Sequence, residues 1–256
     1  MRDSLTMTRR QLRHLTRGFA TTLMLLAVPV IFLLLFVYVL GDTLGNGLGG
    51  GSGGRGAYVN YVTPGILLIT ITGAVQGTAI AVAMDMTGGI VARFRTMAIA
   101  RVSVLTGHVV ASVLQNVVSL ALVLGVAVLI GFRASASAVE WLAAAGLLAF
   151  TAFGLIWLSV ALGLATKSVE AASNLPMPLL LLPFFGSGFV PTDSMPTALR
   201  WFAEYQPFTP IMETVRGLLL GTPIGSGGAL ALGWCAAIAL IGYAWSKHLY
   251  NRDRTR

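Results

Sequence analysis

From Phe19 to Leu40 the chain runs without a charged side chain, far enough to cross the roughly 30 Å of bilayer hydrocarbon as a helix. Similar segments recur at 63–84, 104–130, 141–165, 173–189 and 228–245, and none contains Asp, Glu, Lys or Arg. In lipid every backbone polar group must find a partner within the protein, so such segments fold as helices or as strands of a closed barrel. A barrel strand alternates apolar and polar residues over about ten positions, and that alternation is absent here. The pattern therefore predicts an all-α polytopic membrane protein of six transmembrane helices, one transmembrane domain over residues 1–256. Composition agrees: the chain is 56% hydrophobic and 10% charged, against about 25% charged in an ordinary soluble domain.

The net charge of +8 does not predict a nucleic-acid partner, because the basic residues sit at the ends of apolar segments instead of on one soluble face. They are topology signals. With both termini in the cytoplasm, thirteen of the seventeen Lys and Arg fall on inner segments, leaving only Arg55, Arg133, Arg200 and Arg216 outside. Residues 1–18 carry five arginines, with Leu12, Leu15 and Phe19 on one helical face. This predicts an amphipathic helix on the cytoplasmic leaflet, or simply a positive flank that sets orientation. The first apolar run exceeds the about 7–15 residues of a signal-peptide core and no small-x-small site follows it, so it is expected to be retained as a span. Cys235 is the single cysteine, which excludes a disulfide framework.

Between the first two spans lies GDTLGNGLGGGSGGRG (41–56), a composition that predicts a loop without fixed shape. Gly73, Gln76 and Gly77 are placed to form a small-residue contact face on the second span. The fifth segment is interrupted by Pro176, Pro178 and Pro183 and loosened by Gly186 and Gly188. Irregular backbone at membrane depth is tolerated only under protein or beside water, so this segment is not expected to be an ordinary lipid-facing helix. Residues 191–222 are too polar to span yet carry Trp201, Phe202, Tyr205 and Phe208. Two short re-entrant helices at the outer interface, broken at Pro207 and Pro210, satisfy both facts.

Catalytic chemistry is hard to find. Neither Lys167 nor Lys247 belongs to a phosphate-cradling glycine loop, so ATP is not bound by that route. His14, His108 and His248 are far apart, without partners at metal-ligand spacing, and read as polar groups near the water interface. With no ionisable residue deep in any span, the chain lacks the usual marks of proton or ion coupling. Its energy source is expected to lie elsewhere. Gln76, Gln115 and Asn116 are the intramembrane polar candidates for a substrate path, although a hydrogen bond to a neighbouring helix is the favoured role for Gln115 and Asn116. Phe184, Phe185 and Phe189 would line a greasy exit or pack at the interface. Glu204, Tyr205, Glu213 and Arg216 are the candidates for an outer gate.

Two stretches resemble the permease subunits of ATP-binding-cassette exporters of the type-2 class, which includes the daunorubicin-resistance permeases. DMTGGIVARFRTMAIARVSVLTGH (85–108) is similar to that family's cytoplasmic loop after the second span. FFGSGFVPTDSMPTALRWFAEYQPFTPIMETVRGLLLG (184–221) is similar to its fifth-span exit and outer re-entrant helices, and is the more specific of the two. Ala98 and His108 depart from the Pro and Arg found in many relatives. The resemblance implies a half-size permease in the bacterial cytoplasmic membrane, paired with a second permease, identical or homologous. Two cytoplasmic ATPase subunits would hold the ATP and Mg²⁺, and no cofactor would reside in this chain. The loop 85–103 would contain a coupling helix that docks on the ATPase, carried by Asp85, Gly89, Ile90, Arg93, Phe94, Arg95, Met97 and Arg101. Ile90, Phe94 and Met97 would anchor it in a groove while the three arginines steer it toward an acidic surface. The cargo implied is apolar or amphiphilic, an antibiotic, drug or lipid. Competing readings are a polysaccharide or glycolipid exporter of the same class, resistance without transport, and a non-transporting scaffold or membrane enzyme.

Overall fold

The computed structural model describes residues 19–48, 54–87, 101–166 and 168–252. Helices account for nearly all regular structure there, and no strand occurs among the described residues. Five of the helices are long and apolar enough to cross a membrane. The amphipathic N-terminal segment 1–18, Gly89 and the coupling residues Ile90, Arg93, Phe94, Arg95 and Met97 all lie outside the described residues.

Helix α1 (Phe19–Leu35) carries Pro29 inside it and passes through a π-helical turn, Phe36–Leu40, into α2 (Gly41–Asn46). The glycine-rich loop predicted from Gly41 therefore starts later than its composition suggests. Asp42 and Arg55 form an ion pair at 3.2 Å, and the Arg55 guanidinium lies 5.1 Å from the Tyr38 ring centroid, which tether the two ends of the connection. Helix α3 (Arg55–Thr87) starts eight residues before the apolar run predicted for it. Every residue from Val62 to Thr72 is buried, as expected of a helix that is apolar on all sides and enclosed by others. Thr63, Thr70 and Thr78 donate their hydroxyls to carbonyls one turn back, so none of these buried groups is left unpaired.

Helix α4 (Arg101–Leu129) and helix α5 (Ala138–Ala165) are joined by a short turn with Gly131 at φ +116°. Ser137 and Glu140 start α5 with a reciprocal capping box, the Ser137 N–H donating to Glu140 at 2.6 Å. The C-terminal helix α10 (Gly227–Arg252) packs along α5, and α5 packs along α3. Glycines set the first of these contacts: a Cβ on Gly154 would meet the Cys235 carbonyl at 3.2 Å, and one on Gly242 would meet the Leu158 backbone.

The fifth apolar segment is not one helix. It consists of α6 (Val169–Asn174), α7 (Met177–Leu181) and a 3₁₀ turn, Leu182–Phe185. Ser168 caps α6 by accepting from the Ala171 N–H at 3.2 Å, and Pro176 precedes α7. The prolines anticipated this break, because each lacks the N–H a continuous helix needs. Beyond the bend 186–189 come the amphipathic helix α8 (Thr197–Tyr205) and α9 (Phe208–Leu220). The chain breaks at Gln206 and Pro207 only. Pro210 sits in the first turn of α9, where a missing N–H has no intrahelical acceptor to lose, and does not interrupt it. Gly221 ends α9 at φ +70°, with the Thr222 N–H returning to the Gly217 carbonyl at 3.0 Å.

Candidate functional site: a junction at the N-terminal end of α3

The N-terminal end of α3 is a junction. Tyr58 donates its hydroxyl to the Phe189 carbonyl at 3.2 Å, tying α3 to the bend that follows the broken segment. Asn60 accepts the Arg133 N–H at 2.9 Å, tying it to the α4–α5 turn. Tyr61 offers its carbonyl and its ring to Arg216 of α9. That same turn reaches α9 directly, where the Ser135 N–H donates to the Leu219 carbonyl at 3.0 Å. Four elements distant in sequence thus meet through specific polar contacts.

Close backbone approach permits the arrangement. Gly65 of α3 faces Gly188 of the bend, and a Cβ on Gly65 would lie 2.9 Å from both the Cα and the carbonyl oxygen of Gly188. Met212 covers the other side of Gly188. Arg216 crosses the junction, donating Nη2 to the Ser187 carbonyl at 2.6 Å and Nε and Nη2 to the Tyr61 carbonyl at 3.3 Å. Its guanidinium carbon lies 3.9 Å from the Tyr61 ring centroid. Desolvation lowers its pKa from the ordinary arginine value, opposed by Tyr61 and Glu213.

The expected gate residues do not converge. Glu204 accepts from Arg200 at 2.7 Å on the exposed face of α8, with Asp193 on the same guanidinium. Tyr205 packs beside Trp201, ring centroids 5.2 Å apart, and is exposed, as is Glu213. Only Arg216 enters the junction. Its acceptors are backbone carbonyls that sequence spacing does not reveal.

The aromatic candidates divide in two. Phe184 and Phe189 stack at 5.0 Å and meet Phe32 of α1 and Phe36 of the π-helical turn, Phe36 lying 4.4 Å from Phe189. Phe185 points elsewhere, is exposed, and meets Phe202 of α8 edge-on at 6.5 Å. Among the intramembrane amides, Gln76 donates to the Ser173 carbonyl at 2.9 Å and so supports the first helix of the broken segment. Gln115 is half-buried. Asn116 is fully buried, yet neither amide atom has a hydrogen-bond partner, so the helix–helix bond expected of it is not made. The neighbouring contact is made one turn earlier on α4, where Thr78 donates to Ser112 at 3.0 Å. A methyl on Gly73 or Gly77 would meet nothing within 4 Å beyond its own helix, so the small-residue face expected there is not used among the described residues. Val75 makes the close contact at that depth, its carbonyl accepting from Ser159 of α5.

At the opposite end of α3, Asp85 lies in its last turn and Arg101 opens α4, bracketing the segment that holds the other coupling candidates. No cluster of three or more His, Cys, Asp or Glu that would hold a metal is found among the described residues.

Sequence reasoning missed Tyr58, Asn60, Tyr61 and Ser187. An aromatic pair at the end of a span was a usable signal for the tyrosines. The pairing of Gly65 with Gly188 had none.

Residues 3–220 match the ABC-2 type transporter family. The chain is 27% identical over 196 residues to the daunorubicin resistance ABC transporter permease protein DrrB1 of Streptomyces coeruleorubidus, covering 76% of this chain and 67% of that one. It is 23% identical over 249 residues to the probable doxorubicin resistance ABC transporter permease protein DrrC of Mycobacterium tuberculosis, covering 93% and 84%.

Proposed function

Since the chain belongs to the ABC-2 type transporter family, we propose that it is the membrane-spanning subunit of an ATP-driven exporter whose cargo is apolar or amphiphilic. The observation that carries this reading is the extent of the family match, which takes in residues 3–220 and so both termini of the arginine-bearing segment. Drug-resistance permeases among the relatives support the class of cargo. The topology proposed is six crossings with both termini inside, the broken segment Val169–Phe185 counted as the fifth and α8 and α9 re-entrant at the outer face. The charge bias of the sequence supports it.

Fuel comes from a separate subunit. Two ATPase copies hold ATP and Mg²⁺, and a second permease completes the membrane part. Asp85, Gly89, Ile90, Arg93, Phe94, Arg95, Met97 and Arg101 form the contact, with Ile90, Phe94 and Met97 as apolar anchors among steering arginines. Closure of the ATPases displaces this segment and biases the spans toward an outward-open arrangement. Gln76, Gln115, Asn116, Phe184, Phe185 and Phe189 border the path, and the region of Glu204, Tyr205, Glu213 and Arg216 closes its outer end.

The test is co-purification. Phe94→Asp places a charge where an anchor is expected and leaves the spans untouched. It should abolish recovery of the co-expressed ATPase in mild detergent and stop doxorubicin accumulation in inverted vesicles, while membrane insertion stays normal. Full ATPase recovery with Phe94→Asp would overturn the docking role.

A further inference from the structure

Between residues 27 and 48 the buried positions of the first span fall in strict steps of four: Pro29, Leu33, Val37, Gly41 and Gly45. An α-helix turns about 100° per residue, so a row spaced by four drifts about 40° at each step and about 160° from Pro29 to Gly45. A straight α-helix would carry one end of that row away from the bundle. The π-helical turn Phe36–Leu40 sits at the middle of the row. Its i→i+5 bonds enclose one residue more than an α-turn does, which takes back roughly 100° of the drift. Residues on both sides of the turn can then face the bundle together.

The two sides are held differently. After the turn, α2 is pinned to the start of α3: Asp42 pairs with Arg55 at 3.2 Å, a Cβ on Gly41 would lie 3.3 Å from the Arg55 side chain, and one on Gly45 would collide with the Gly54 backbone. The span as a whole is loosely held, 22% of its apolar stretch being buried within the chain against 67% for α3 and for α5. Before the turn its ring contacts are apolar. Phe32 meets Phe184 edge-on at 5.5 Å and Phe36 lies 4.4 Å from Phe189, so the two rings cover the Phe184–Phe189 stack. In a bilayer such rings, and Leu33 beside them, exchange protein neighbours for lipid tails at little cost, because the tails are as apolar as the side chains.

We propose that the π-helical turn is a register switch. Its extra residue is absorbed into regular α-helix, α1 turns about 100° on its own axis against the fixed α2, and Phe32 and Phe36 leave the Phe184–Phe189 stack. Helix register shifts take μs to ms, and a π-turn within a helix already stores one residue of shift. The effect on cargo rests on the proposed path, which Phe184 and Phe189 border; the turning of α1 does not. A wide turn that only aligned the buried row would keep a single register throughout.

Deletion of Val39, 71% exposed within the turn, removes the extra residue and leaves α1 and α2 facing as they do here. The deletion variant should insert and melt no lower than wild type. Its doxorubicin accumulation in inverted vesicles with the co-expressed ATPase should nevertheless fall about tenfold or more, a loss of roughly 1.4 kcal/mol in the rate of the turning step. Register is read directly by spin-label distances in a Cys235→Ala background, from Ile31→Cys on α1 to Leu142→Cys on α5 or Leu122→Cys on α4, all exposed positions. A turn of about 100° on a helix about 10–12 Å across moves the label by about 8 Å. Wild type in nanodiscs should show two distances, in proportions that change when ATPase and ATP are added, and the deletion variant only one of them. A single distance in wild type, with and without the ATPase, would overturn the inference whether or not the deletion variant folds. Normal export by the deletion variant would also overturn it while leaving the exporter reading standing. Two distances in a wild type that never exports would uphold the switch and count against the exporter reading instead.

Discussion

Arg216 donates to the Tyr61 carbonyl and places its guanidinium carbon over the ring of the same residue, 3.9 Å from its centroid. One tyrosine thus satisfies a cation twice, through its backbone and its π face, with no carboxylate in the contact. A guanidinium suits this because it is planar, weakly hydrated and has donors in a fork.

Arg216→Met should lower the melting temperature of the detergent-solubilised protein by about 5 °C or more, since hydrogen bonds to a charged group contribute roughly 1.5–3 kcal/mol. Arg216→Lys should recover only part of the loss, because an ammonium cannot reach both carbonyls while stacking. Thermal unfolding followed by tryptophan fluorescence measures both.

Gly65→Ala and Gly73→Ala should differ in sign. The first drives a methyl into the Gly188 backbone, costing about 1–3 kcal/mol for an overpacked contact. The second meets open space in the same helix and gains up to about 1 kcal/mol of helix propensity. Equal melting temperatures for the two variants would contradict the close approach of α3 to the bend.

Asn116→Leu should raise the melting temperature by a few degrees, because it removes a buried amide whose desolvation is unrepaid, about 1–3 kcal/mol. Export should fall in the same variant if the amide borders the path. A variant that is less stable than wild type would mean the amide is bonded after all.

Cys235 is buried against Thr151 and is the one cysteine of the chain. In intact cells it should resist membrane-impermeant maleimide. In a Cys235→Ala background, Asp193→Cys should label from outside and Met97→Cys only after permeabilisation. Reversed labelling would invert the proposed topology.

What the sequence made legible follows from one-dimensional physics. Apolar run length located the five membrane-length helices, and Pro176, Pro178 and Pro183 located the break in the remaining segment. Helix ends were harder. The residues Arg55–Val62 and Gly41–Asn46 are helical although their polarity and glycine content argue against it; Tyr58, Val59 and Val62 are buried there, and Arg55 pairs with Asp42 across the connection. The junction itself was not legible. Gly65 with Gly188, and Arg216 with the carbonyls of Tyr61 and Ser187, are pairings of backbone atoms between distant segments, and backbone atoms leave no mark on residue identity.

Gly154 and Gly242 bring the backbones of α5 and α10 into direct apposition along the middle of the bundle. Side chains that interdigitate can slip by a rotamer change, but main chain against main chain has no such clutch. Any stroke that moves the C-terminal helix must therefore carry its neighbour with it as a single lever, and the flexing has to occur elsewhere, at the segment the prolines have already cut.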